Sequence, residues 1–257
     1  MRFVDCPQRH VRTQAGQKER SNLWAFRTIG DRMDSRPDRI HVDPEVASAW
    51  TLPAYLYFDA ETFAREKDKI FSRSWQVVGH GSQVKKPGDY FTIEVAGEPL
   101  LICRDPAGKV RAFYNVCQHR AGPAAEGAGS RKVFRCAYHG WTYGLDGALL
   151  HSTEMEGVKN FRHEDFCLTP VRCEEWFNLV AINLDPDAAP LVSSLGEMPK
   201  RAERFPFGEM KLFERRTYDM QCNWKTYVDN YLEGFHLPTV HPGFGTGAPS
   251  LSKVGIG

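Results

Sequence analysis

The sequence predicts an α+β chain, with a small antiparallel β domain set between helical segments. Three observations carry that reading. The stretch "FDAETFAREKDKIFSRSW" (58–75) has the apolar spacing of an amphipathic helix. Five short strand-like runs follow, "WQVVGH", "DYFTIEV", "PLLICRD", "KVRAFYN" and "FNLVAINLD", divided by Gly, Pro and Asp. A second helical stretch begins at about Trp224.

Residues 1–47 read as a poorly ordered extension, or as a start codon placed too early. The first forty residues hold nine Lys/Arg against five acids, a net of +4, and their apolar residues are sparse. Organelle transit peptides avoid acids, so a targeting role is disfavoured. Residues 48–73 form an opening helical segment. Asp59 is its expected N-cap, and Phe63, Ile70 and Phe71 are its apolar contacts. The β domain is expected over 74–185, followed by a connector from Pro186 to Pro199. A β-like run, "KLFERRTYDMQ", precedes the second helix, and 195–257 is assigned to a second, partial domain.

Composition narrows the function classes. A chain of 257 residues that is 42% hydrophobic and 12% aromatic can pack a globular core. A net charge of +1 gives no electrostatic case for a nucleic acid or membrane partner. No apolar run reaches the length of a membrane span. The opening "MRFVDCPQRHVRTQ" has no apolar h-region, so the cytoplasm is the expected compartment. Seven cysteines without a secretory signal argue against a disulfide framework. Cys103, Cys167, Cys173 and Cys222 read as packed thiols. His80, His151 and His163 lack partner spacing.

The other cysteines carry a pattern. "CQHRAG" gives Cys117-x-His119, and "CAYHGWTYGLDG" gives Cys136-x-x-His139. Two thiolates can hold one iron of a [2Fe–2S] cluster while two neutral imidazoles hold the other. Gly122 and Gly140 would allow tight loops, and Asp146-Gly147 marks a turn. A structural zinc site is the alternative, although zinc sites more often open on C-x₂₋₄-C.

The pattern resembles the Rieske signature in its oxygenase form. Quinol-oxidising Rieske proteins carry an extra cysteine in each loop and a Ser after the second His-Gly; here that position is Trp141. Fewer donors to the cluster imply a lower potential. The resemblance therefore implies electrons from a flavin or ferredoxin-type reductase, and so from NAD(P)H indirectly.

Downstream, "NWKTYVDNYLEGFHLPTVHP" resembles the iron-site helix of Rieske non-haem iron oxygenase α-subunits. On a continuous helix, Asp229, Glu233 and His236 would share one stripe, with Pro238 ending the helix and returning His241 toward His236. Two imidazoles and a carboxylate with open positions make the facial triad of such oxygenases. The resemblance implies that His236 and His241 bind a mononuclear Fe(II). It makes Glu233 the bridging carboxylate to a cluster histidine of a neighbouring subunit, here His139. It places Asp229 and Asn230 behind the iron ligands or at the edge of the pocket. Glu at 233, where Asp is commoner, resembles the choline monooxygenase-type branch. The third ligand in the family is an Asp from a later helix, and no Asp or Glu follows Glu233 here. The expectation is thus the N-terminal part of an oxygenase subunit, with 195–257 as part of a helix-grip-like catalytic domain. The implied function is hydroxylation or demethylation of a small aromatic or quaternary ammonium substrate with O₂, in a homotrimer. The alternatives are a Rieske ferredoxin-like electron carrier and an inactive fragment. Mono- and dioxygenation are not distinguished.

Overall fold

A computed structural model describes residues 40, 43–45, 47–241 and 243. Most of the expected extension, and the Gly-rich stretch after 243, lie outside the described residues. The chain divides into two compact units: 63–218, and a second in which the segment up to Thr62 joins the segment from Asp219 onward. Among the described residues no helix is long and apolar enough to cross a membrane.

In the larger unit the strands are β1 (Gln76–His80), β2 (Asp89–Val95), β3 (Glu98–Arg104), β4 (Val110–Tyr114), β5 (Ala128–Ser130), β6 (Phe134–Arg135), β7 (Thr142–Tyr143), β8 (Leu149–His151), β9 (Pro170–Trp176) and β10 (Leu179–Asn183). Seven form one antiparallel sheet in the order β1-β10-β9-β4-β3-β2-β5. The short β6, β7 and β8 make a separate three-stranded sheet. All five expected runs are strands, and β5 to β9 are additions. "KLFERRTYDMQ" forms no strand, and Phe213 within it is 97% exposed. An apolar alternation stays a strand only where a neighbour completes its ladder. The expected connector is partly helical, with two short helices at Leu191–Ser194 and Met198–Ala202.

The central strands are buried on both faces, and the period-2 alternation feeds two cores. Leu100 and Ile102 of β3 enter one, with Phe91, Val110, Val171, Val180 and Ile182. Leu101 and Cys103 enter the other, with Tyr90, Phe113, Phe134, Tyr143 and Leu149. This second core seats the small sheet and contains Cys117 and Cys136, so packing of the large sheet positions the cysteine loops. Leu101 has no exposed surface. Leu101→Ala is therefore expected to cost roughly 2–5 kcal/mol. Chemical denaturation checks this; a loss below about 1 kcal/mol would contradict the packing.

The second unit holds the short helix Tyr55–Phe58, the first residues of the helix Ala60–Glu66, and two more helices at Trp224–Leu232 and Leu237–Val240. Asp59 is the expected cap: its Oδ2 accepts from the Thr62 N–H at 2.8 Å and the Thr62 hydroxyl at 2.7 Å. Ile70, expected to be an apolar contact, is 40% exposed. The Trp224 helix starts on Asn223, whose side chain accepts from the Lys225 N–H. It stops at Leu232, because Glu233 is extended and Gly234 follows. The expected single helix through His236 is therefore corrected to two. Pro238 lies in the first turn of the second helix, where a missing N–H costs nothing.

Candidate metal centres

The two cysteine loops are built alike. In the first, the Cys117 N–H donates to Gly122 O at 2.8 Å, and Ala121 N–H donates to Cys117 O at 2.9 Å. In the second, the Cys136 N–H donates to Trp141 O at 2.9 Å, and Gly140 N–H donates to Cys136 O at 3.0 Å. The fourth residue after each cysteine is left-handed, with φ of 59° at Ala121 and 79° at Gly140. Gly140 was expected to permit its loop and does. In the first loop the strained position is Ala121, not Gly122. Gly122 matters for space, since a Cβ there would come within 3.2 Å of Cys136 Sγ. Buried Asn115 staples the base of the first loop, accepting from the Ala124 and Ala125 N–H groups and donating to Ala125 O. The Asp146-Gly147 turn forms as expected, with Gly147 at φ 88°.

These loops bring the four predicted donors together as two pairs. Cys117 and Cys136 are both buried and share one core cluster. His119 and His139 meet edge to face with ring centres 4.6 Å apart, and His119 is exposed. A shallow depression beside His139 is lined by Arg135, Tyr138, Gly140 and Thr153. Burial raises the Cys136 thiol pKa, the N–H of Tyr138 opposes this, and neighbouring Cys117 adds to the rise. Loss of solvent, His139 and Arg120 together lower the His119 pKa, which favours the neutral imidazole that a metal takes. Two buried sulfurs beside two outer imidazoles fit a mixed-ligand [2Fe–2S] cluster. So does the buried Trp141 indole N–H next to them, which has no protein acceptor.

Tyr143 was missed from sequence. Its hydroxyl lies 3.1 Å from Cys117 Sγ and accepts from the Gln118 N–H at 3.0 Å, which leaves its own proton for the sulfur. Burial, and then Cys117, raise its pKa, so it stays a donor. Trp141 still stands where the quinol-oxidising proteins have Ser, but the Tyr143 hydroxyl supplies one donor that spacing does not reveal. Tyr143→Phe should lower the cluster potential by roughly 20–60 mV, taking about 0.5–1.5 kcal/mol per hydrogen bond and 59 mV per tenfold for one electron. A redox titration in which the potential holds or rises would refute the donor role.

The second pair lies in the smaller unit. His236 and His241 bracket the Leu237–Val240 helix, and their ring centres are 5.5 Å apart at 76°. Imidazole nitrogens bind metals at about 2.1 Å, so one ion can sit between rings at this spacing. Glu233 Oε1 pairs with His236 Nδ1, and its Oε2 accepts from the N–H groups of Phe235 and His236. Desolvation raises the Glu233 pKa, but the bonds to His236 and Phe235 outweigh it and hold the group low. Fixing Nδ1 leaves Nε2 of His236 for a metal. Asp229 is held by the Tyr57 hydroxyl at 2.6 Å, and Asn230 is exposed. Among the described residues, no three His, Cys, Asp or Glu side chains converge on one ion site. Cys103 and Cys173 are packed, and burial pushes both thiols up to about 12. Cys222, expected to be packed, is exposed.

A mixed-ligand thiol–imidazole quartet, followed by a carboxylate-held histidine pair, defines an iron–sulfur protein with a second metal locus. A family model for the Rieske [2Fe–2S] domain matches residues 74–162, and one for the ring hydroxylating alpha subunit (catalytic domain) matches 207–254. The carnitine monooxygenase oxygenase subunit of Escherichia coli (strain K12) is 41% identical over 211 residues, covering 81% of this chain and 56% of that protein. Choline monooxygenase, chloroplastic, of Arabidopsis thaliana is 35% identical over 222 residues, covering 80% and 52%. The structure of the quaternary ammonium Rieske monooxygenase CntA with L-carnitine superposes with a TM-score of 0.74 at 37% identity, covering 78% and 58%. The chain belongs to the Rieske non-haem iron oxygenase α-subunit family. It spans about half the length of the curated relatives it matches. The family's cofactors are a Rieske [2Fe–2S] cluster and a mononuclear iron.

Proposed function

We propose that the chain is the electron-receiving part of a Rieske oxygenase large subunit acting on a small organic substrate, with quaternary ammonium compounds as the favoured class. The observation that carries this is one chain holding both the thiol–imidazole quartet and the Glu233-supported histidine pair. The relatives named for carnitine and choline support the substrate class. When bound, the cluster supplies one-electron transfer and the Fe(II) supplies O₂ activation.

In this reading Cys117 and Cys136 hold one iron of the cluster, and His119 and His139 hold the other. His236 and His241 hold the mononuclear iron. Glu233 fixes the tautomer of His236 and carries the path to His139 of a neighbouring subunit, within a homotrimer. Asp229, tied to Tyr57, and Asn230 border the pocket. Residues 74–185 form the Rieske domain and 195–257 belong to the catalytic domain. Electrons come from NAD(P)H through a flavin or ferredoxin-type reductase, and the cytoplasm is the proposed compartment.

Two tests separate this from an electron carrier. With a reductase and O₂, the assembled protein should consume NADH in step with a quaternary ammonium substrate; a cluster that is reduced but turns over neither quaternary ammonium nor aromatic compounds would point to a carrier. Glu233→Gln should lower turnover roughly 10- to 100-fold, the usual cost of losing a partner of a metal ligand. Unchanged turnover would remove Glu233 from the site.

A further inference from the structure

We propose that Trp141 is a positioning residue for the iron–sulfur group: its ring fixes the plane of His119, and its indole N–H donates a hydrogen bond to a sulfur of that group. The inference rests on the Rieske reading of Cys117, His119, Cys136 and His139. Trp141 is only 2% exposed. Its ring lies almost parallel to that of His119, with centres 4.9 Å apart and planes 11° apart. Phe161 and Phe166 clamp it edge-on, at 5.8 and 5.7 Å. Its carbonyl accepts from the Cys136 N–H, which ties its backbone to the cysteine of the same loop. Ring and backbone thus bear on two different ligands of the quartet.

The indole nitrogen supplies the second half of the argument. Among the described residues, Nε1 of Trp141 is the buried side-chain nitrogen or oxygen that lacks a hydrogen-bond partner. Buried N–H groups without acceptors are rare because the lost hydration is not repaid. The neighbours known here, His119 and two phenylalanines, present no oxygen to it. Sulfur accepts N–H hydrogen bonds, and each such donor favours the reduced, more negative cluster. The position so assigned differs from Tyr143, whose hydroxyl serves Cys117 Sγ.

The test uses the whole protein with its cluster, labelled with ¹⁵N at the indole nitrogens. Pulsed EPR of the reduced cluster should show an indole ¹⁵N coupling beside the histidine ¹⁴N couplings. In W141F that coupling should vanish and the potential should fall, while iron and sulfide content stay the same. The histidine couplings should persist in W141F, which keeps an aromatic ring on His119, and change in W141L, which does not. A Rieske EPR signal without indole coupling, or with W141F at the native potential, would assign the N–H to a buried water and overturn the hydrogen bond. Histidine couplings identical in W141L and the native protein would overturn the ring's role. The labelled native protein decides the first point even if a variant does not fold. Absence of any Rieske signal would instead overturn the reading of the quartet.

Discussion

If the proposed function holds, His236→Ala in the assembled oxygenase is expected to abolish turnover and to leave the visible and EPR spectra of the cluster unchanged. The two loci have separate supports. The quartet is held by β-sheet loops over a core containing Leu101, Phe113 and Tyr143, whereas His236 is held by Glu233 and by the turn after the Trp224–Leu232 helix. Removing an imidazole ligand should cost more than the 10- to 100-fold loss typical of outer partners. His236→Ala also leaves the Glu233 carboxylate without its main partner, so the carboxylate pKa should return toward the ordinary Glu range. Steady-state turnover and EPR on the same sample check the prediction. Surviving turnover would remove His236 from the iron site, and a lost cluster signal would show that the loci are not independent.

The second large effect is at Cys117. Cys117→Ser should eliminate acid-labile sulfide and destabilise the larger unit. Its side chain is 3% exposed and packs in the core that joins the two sheets. Cluster binding free energy is part of the folding free energy when ligands are scattered in the unfolded chain. The substitution also leaves the Tyr143 hydroxyl without its sulfur and places a buried hydroxyl beside Cys136. Sulfide analysis and thermal unfolding test it; a variant that keeps both sulfide and stability would exclude Cys117 as a ligand.

The sequence made some of this legible and hid the rest for identifiable reasons. Period-2 apolar runs mark β1 to β4 and β10, because alternate residues of β2, β3 and β4 fill two cores and those of β1 and β10 fill one. Strand β9 was hidden by its content, "PVRCEEW": Pro170 can open a strand, but its charged residues weakened the pattern. "KLFERRTYDMQ" had the alternation without a partner strand. The four proposed cluster donors are readable from spacing, since each pair lies within one loop. Tyr143 and Trp141 are not, because their contacts with Cys117 and His119 cross between loops 26 and 22 residues apart in sequence. The sequence places His236 and His241 near each other, but not by the route the chain takes. Spacing suggests Pro238 as the helix stop, whereas Glu233 and Gly234 end the first helix and Pro238 opens the next. Asp229 looked like a neighbour of the iron histidines on a continuous stripe. The break releases it from that stripe, and Tyr57 holds it instead.

The most direct test of the central claim is iron and acid-labile sulfide per chain, on protein purified without oxygen. Two sulfides and at least two irons per chain are expected, the composition of a [2Fe–2S] cluster on Cys117, His119, Cys136 and His139. A third iron would locate an ion at the histidine pair. Zinc without sulfide would contradict the account from Cys117 onward.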